Sequence, residues 1–214
     1  MSIKNDLKEL EKKAYKTSFE DGIWDIFSGM IILSLAFTWI IEYDDPLELL
    51  FIFIFIIALN CLAILIFIIS KKYVVAPRLG QVKFGQRRKV RKRILMIFLS
   101  LMVLINLIFF ILTLFGLFRE LEISGLIFSL IVGLCFFTIP FGIVAYLLQF
   151  FRLFIIGLLG GLCFFLSYLL YSVLGSPFHT LLTFVLVGGF FICFGIVLFI
   201  KFIKKYPKPE KEVV

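Results

Sequence analysis

Six apolar runs of about 20 residues each, set apart by short charged clusters, constrain this chain more than any other feature. A helix of that length crosses a hydrocarbon core of about 30 Å, and few other structures can hold such runs. The residues within them do not alternate between apolar and polar, so the shorter alternating strands of a membrane barrel are excluded. The sequence predicts an all-α membrane protein with six transmembrane helices, at about 23–41, 47–70, 94–118, 123–150, 153–174 and 181–203. Composition agrees, with 62% hydrophobic residues and only 17% charged, against about a quarter charged in a soluble domain.

The charges that remain are sorted by side. The stretch 71–93 holds ten Lys/Arg and no acid. Even helix numbers put both termini on one side, and that side carries 21 of the 22 Lys/Arg, leaving only Arg119 opposite. The positive-inside rule therefore places both termini and the basic loop 71–93 in the cytoplasm, in a multi-pass protein of the cell membrane. The same rule accounts for the net charge of +8, so nucleic acid is not an expected partner. The opening residues are mostly charged and lack the apolar core and cleavage site of a signal peptide, so the first span is expected to serve as an uncleaved signal.

Several local features refine this plan. In the N-terminal segment 1–22, Ile3, Leu7, Leu10 and Ala14 recur at helical spacing, which predicts an amphipathic helix over 2–19 lying at the headgroups or against the bundle. Pro77, Gly80 and Gly85 argue for an extended or turn segment over 74–84, with helix resuming near Gln86. Pro140 should kink the fourth helix. Trp24 and Trp39 fit the two membrane interfaces. Gly157 and Gly161 allow close helix packing or a homo-oligomer contact. The tail 204–214 is charged and broken by proline.

Candidate functional residues are few. Asn60 and Asn106 fall near the middles of consecutive antiparallel spans and suit a hydrogen bond between helices, or the lining of a solute path together with Thr138. No Asp, Glu, Lys, Arg or His lies at the centre of any span, which disfavours a proton-driven transporter. Asp21 and Asp25 share one helical face at the cytoplasmic end and could pair with Arg87, Arg88, Arg91 and Arg93; those four arginines could equally hold anionic lipid or a protein partner. His179, the only histidine, is placed in an outer turn. The four cysteines all fall in apolar runs without zinc spacing, so neither metal nor cofactor is expected. Asp21-Gly22 opens like the CDP-alcohol phosphotransferase motif, but the Ala-Arg that should follow and the later paired aspartates are missing, which excludes that family.

Together, DGIWDIFSG before the first span and PRLGQVKFGQRRK in the basic loop resemble segments of uncharacterised prokaryotic multi-spanning membrane proteins. The resemblance covers about the first ninety residues and implies no activity. The leading expectation is a non-enzymatic membrane scaffold or accessory protein that binds anionic lipid or a partner. A channel or transporter for a small or apolar solute is the alternative. A lipid-modifying enzyme using Asp21 and Asp25 at the interface is a further one.

Overall fold

A computed structural model describes residues 19–39, 46–79, 86–114 and 124–207, and every regular element in them is helical. The N-terminal segment 1–18 and the end of the tail, with their expected amphipathic helix and charged terminus, lie outside the described residues. Six helices follow the six apolar runs. Helix α1 is Ile23–Leu35, extended by a 3-10 turn Ala36–Trp39. Helix α2 runs through Pro46–Ile69, a π-helical turn Ser70–Val75 and Ala76–Leu79. Helix α3 is Gln86–Leu114. Helix α4 joins Gly125–Val132, a second π-helical turn Gly133–Thr138 and Ile139–Leu148. Helices α5 and α6 are Phe151–Leu174 and Phe178–Lys205.

Four of these helices are long and apolar enough to cross a membrane: Leu50–Leu79 of α2, all of α4, α5 and α6. Their surfaces are apolar outward as well as inward. On α2, Phe51, Ile54 and Leu65 are all more than half exposed. A soluble protein rarely shows so much contiguous apolar surface. In hydrocarbon the same surface is at no disadvantage, while every backbone polar group must pair within the helix.

The expected turn at 74–84 is corrected in its first half, because α2 continues as helix to Leu79. The two π turns explain how. Each spans six residues and ends two residues before a proline, Val75 before Pro77 and Thr138 before Pro140. In each, the residue preceding the proline donates five residues back, Ala76 to the Lys71 carbonyl and Ile139 to the Leu134 carbonyl. Widening the turn makes room for the ring that would otherwise strike the preceding turn. Proline here reshapes the helix without ending it, since open backbone would be unanswered in lipid.

The chain divides into two compact units, residues Met1–Lys83 with Ser176–Val214, and residues Phe84–Gly175. In the first, α1 runs antiparallel to α6 and touches it backbone to backbone. Gly22 and Gly29 on α1 have the same seven-residue spacing as Gly188 and Gly195 on α6. A Cβ on Gly29 would lie 2.8 Å from the Gly188 carbonyl oxygen, and one on Gly195 would lie 2.8 Å from that of Gly22. Gly22 also has φ +74, a left-handed turn into α1. At the Gly22 end of this helix pair, Ile23, Val75 and Phe202 form a buried core with Phe67, Leu79, Phe199 and Tyr206 packed on it.

In the second unit α4 packs on α5 through glycines. A Cβ on Gly161 would strike Thr138 Oγ1 and lie 2.8 Å from the Gly133 carbonyl oxygen. Gly157 meets the Phe141 Cβ. The two glycines that open the repeated GLCFF at 133–137 and 161–165 therefore face each other. Gln149 closes α4 with φ 55, and Phe150 donates back to the Ala145 carbonyl at 2.9 Å, making a tight turn before α5.

A candidate site around two buried carboxylates

The most chemically loaded place among the described residues is the N-terminal end of α1. Asp21 is fully buried and Asp25 is 1% exposed. One Asp21 oxygen, Oδ1, accepts from the Ile23 backbone N–H at 3.1 Å and so satisfies one of the donors that a helix start leaves open. The other, Oδ2, meets the Lys71 ammonium at 2.5 Å. Sequence reading paired these acids with Arg87, Arg88, Arg91 and Arg93. The partner found for Asp21 is Lys71, because the π turn of α2 carries that residue against α1.

Aromatic rings surround the pair. Lys71 Nζ lies 5.7 Å from the centre of the Phe19 ring and 5.9 Å from that of Phe67, within cation–π range. Trp24 meets Phe67 edge-on at 4.9 Å, and Phe27 lies 5.1 Å from Phe67. The Trp24 ring thus packs against other helices' side chains and does more than sit at the interface. Ser28, one turn after Asp25, is 1% exposed and its hydroxyl has no hydrogen-bond partner among the described residues. The residues of DGIWDIFSG divide into three roles: Asp21 binds Lys71, Gly22 and Gly29 pack on α6, and Ile23 and Trp24 pack in the core and the ring cluster.

A cavity of about 20 Å³ lies beside this cluster, lined by Ile23, Ile26, Met30, Ala63, Phe67 and Phe199 among others. That is room for about one water, and its walls are almost wholly apolar.

The other predicted residues fall as follows. Asn60 Nδ2 donates to Ser34 Oγ at 3.2 Å and to the Ile56 carbonyl at 2.8 Å, and the Ser34 hydroxyl donates in turn to the Ile31 carbonyl. Asn60 is thus a bond between α2 and α1. Asn106 lies within α3, and its side chain is outside the described residues, as are those of Arg87 and Arg88. Arg91 and Arg93 are exposed near the start of α3. Thr138 Oγ1 donates to the Gly133 and Gly157 carbonyls at 3.4 and 3.3 Å, which joins the π turn of α4 to α5. His179 is corrected from an outer turn to the first turn of α6, where it is 7% exposed beside buried Thr180 and Thr183. Among the described residues no three His, Cys, Asp or Glu gather as metal ligands.

Lys71 and Ser34 were missed as partners by sequence reading. Ser34 carried a faint signal, since it is a polar residue one helix away from Asn60 at a similar depth. No family model matches the chain, and no curated protein or solved structure matches it.

Proposed function

We propose that this is a multi-pass cell-membrane protein with six spans and both termini in the cytoplasm. It acts without catalysis, as an accessory protein that holds anionic phospholipid at the cationic start of α3. The observation that carries this reading is the continuity of α3. Its first eight residues include Arg87, Arg88, Lys89, Arg91, Lys92 and Arg93, with no acid, and the same helix runs on into apolar Ile94–Leu114. At about 100° per residue those six cations cover about two thirds of the helix circumference. A headgroup layer can meet so broad a band, whereas a partner's groove needs one stripe. Anionic lipid favours each cation near the surface by about 1 kcal/mol.

The internal pairing of Asp21, Asn60 and Thr138 supports a non-enzymatic, non-transporting role. Asp21 uses its oxygens on Lys71 and a helix start, the Asn60 amide donates to Ser34, and the Thr138 hydroxyl donates to the Gly157 carbonyl. To test the reading, the chain with Arg87, Arg88, Arg91 and Arg93 all changed to Gln is compared with wild type by native mass spectrometry in phosphatidylglycerol-containing detergent. Retained lipid should fall sharply; undiminished retention refutes the site. Labelling of a cysteine added at either terminus with an impermeant maleimide tests the orientation, which fails if intact cells label.

A further inference from the structure

We propose that Arg78, at the end of α2, forms a second and separate anionic phospholipid site, built to grip the lipid's phosphate side-on. The proposal rests on the same membrane orientation as the α3 reading but on different residues and in the other unit. Arg78 Nη1 donates to the Val74 carbonyl at 2.8 Å, which fixes the plane of the guanidinium. Its Nε is buried and has no acceptor among the described residues. With Nη1 engaged, the remaining edge of the guanidinium is the parallel N–H pair of Nε and Nη2. That fork matches two oxygens of a phosphate.

The surroundings select the ligand. A desolvated N–H without an acceptor is costly, so a group that supplies one binds with that much advantage. Lys72, Lys201, Lys204 and Lys205 are exposed at the same end of the unit, joined through the Val75–Phe202 core. No acid lies in 71–85 or 196–209. Of the acids on α1 at this end, Asp21 is bound to Lys71, Asp25 is buried, and Glu20 is exposed. The potential beside Arg78 is therefore positive.

The ligand also has apolar company. Ile68 and Ile69 are about half exposed two to three turns back along α2, and Tyr73 is 61% exposed between them and Arg78. Arg78 stands at the end of an apolar membrane span, the depth at which headgroups lie, and Tyr73 in the preceding π turn is a residue type common there. The occupant is a phospholipid with net negative charge, such as phosphatidylglycerol.

The test uses the full chain in mild detergent and native mass spectrometry, with phosphatidylglycerol or phosphatidylcholine added at equal amounts. The variants are Arg78→Gln, Arg78→Lys and the four-Gln variant of α3. Trp24 fluorescence checks that each variant is folded. Wild type should retain one more phosphatidylglycerol than Arg78→Gln, and the four-Gln variant should still retain that lipid. Arg78→Lys keeps the charge but loses the fork, and should lower occupancy of this site roughly tenfold. Wild-type retention by Arg78→Lys, or equal retention of phosphatidylcholine, overturns the side-on site. Displacement by millimolar inorganic phosphate overturns the lipid as its occupant. Undiminished total lipid on the four-Gln variant, with the Arg78-dependent lipid still present, refutes only the earlier reading.

Discussion

Replacing Lys71 with Met should destabilise the protein more than replacing its partner Asp21 with Asn. The asymmetry follows from burial: the Asp21 side chain has no exposure and that of Lys71 is 24% exposed. Lys71→Met leaves an anion in an apolar pocket walled by Phe19, Phe67 and Trp24, and removing one partner of a buried pair costs about 3–5 kcal/mol. Asp21→Asn leaves an ammonium that can turn to water or to headgroups, and the amide oxygen can still accept from Ile23 N–H. Its cost should be about 1–2 kcal/mol. The double variant, which holds no charge at positions 21 and 71, should be more stable than Lys71→Met alone, giving a coupling of roughly 2 kcal/mol. Reversible unfolding in mixed micelles, followed by Trp24 fluorescence and completed as a double-mutant cycle, measures all four states. Equal costs for the two single variants, or strictly additive ones, would refute the claim that the carboxylate is the buried partner.

Three further expectations follow from the packing. Gly22→Ala combines a positive φ with a Cβ that strikes the Gly195 carbonyl oxygen, and should cost roughly 3 kcal/mol, whereas Gly189→Ala, with nothing within 4 Å, should stay within about 0.5 kcal/mol in the same unfolding assay. Asn60→Leu removes one hydrogen bond between helices in the membrane and should cost only about 0.6 kcal/mol; a loss several times larger would show that Asn60 does more than join α2 to α1. Cys163 is fully buried while Cys61, Cys135 and Cys193 are exposed, so N-ethylmaleimide in detergent should modify Cys163 at least about tenfold more slowly, as peptide mapping would reveal.

Helix positions were legible in the sequence because lipid leaves the backbone one choice. A run such as 47–70 must satisfy its own N–H and C=O groups, and only helix does so within the segment. The expected start of α5 near residue 153 and its end at 174 lie within two residues of Phe151–Leu174. Proline was legible as a disturbance but not in its outcome. Pro77 reads as a breaker and Pro140 as a kink, yet both follow a π turn inside a continuing helix. Propensity reports the missing N–H; whether the turn widens or breaks depends on what the freed carbonyls can meet.

The sequence by itself determined which segments are apolar helix and, through the one-sided cations, which orientation to propose. Both depend on residue type and order along the chain. Tertiary structure decided the pairings. Asp21 lies fifty positions from Lys71, and the partners the sequence suggested for it were Arg87, Arg88, Arg91 and Arg93. Contact between α1 and α6 placed Gly22 on Gly195 and Gly29 on Gly188, which no local pattern on either helix requires. A helix fixes the direction of its own side chains through its period, but its neighbour is chosen by the sum of all its faces, and that sum exists only in the folded bundle.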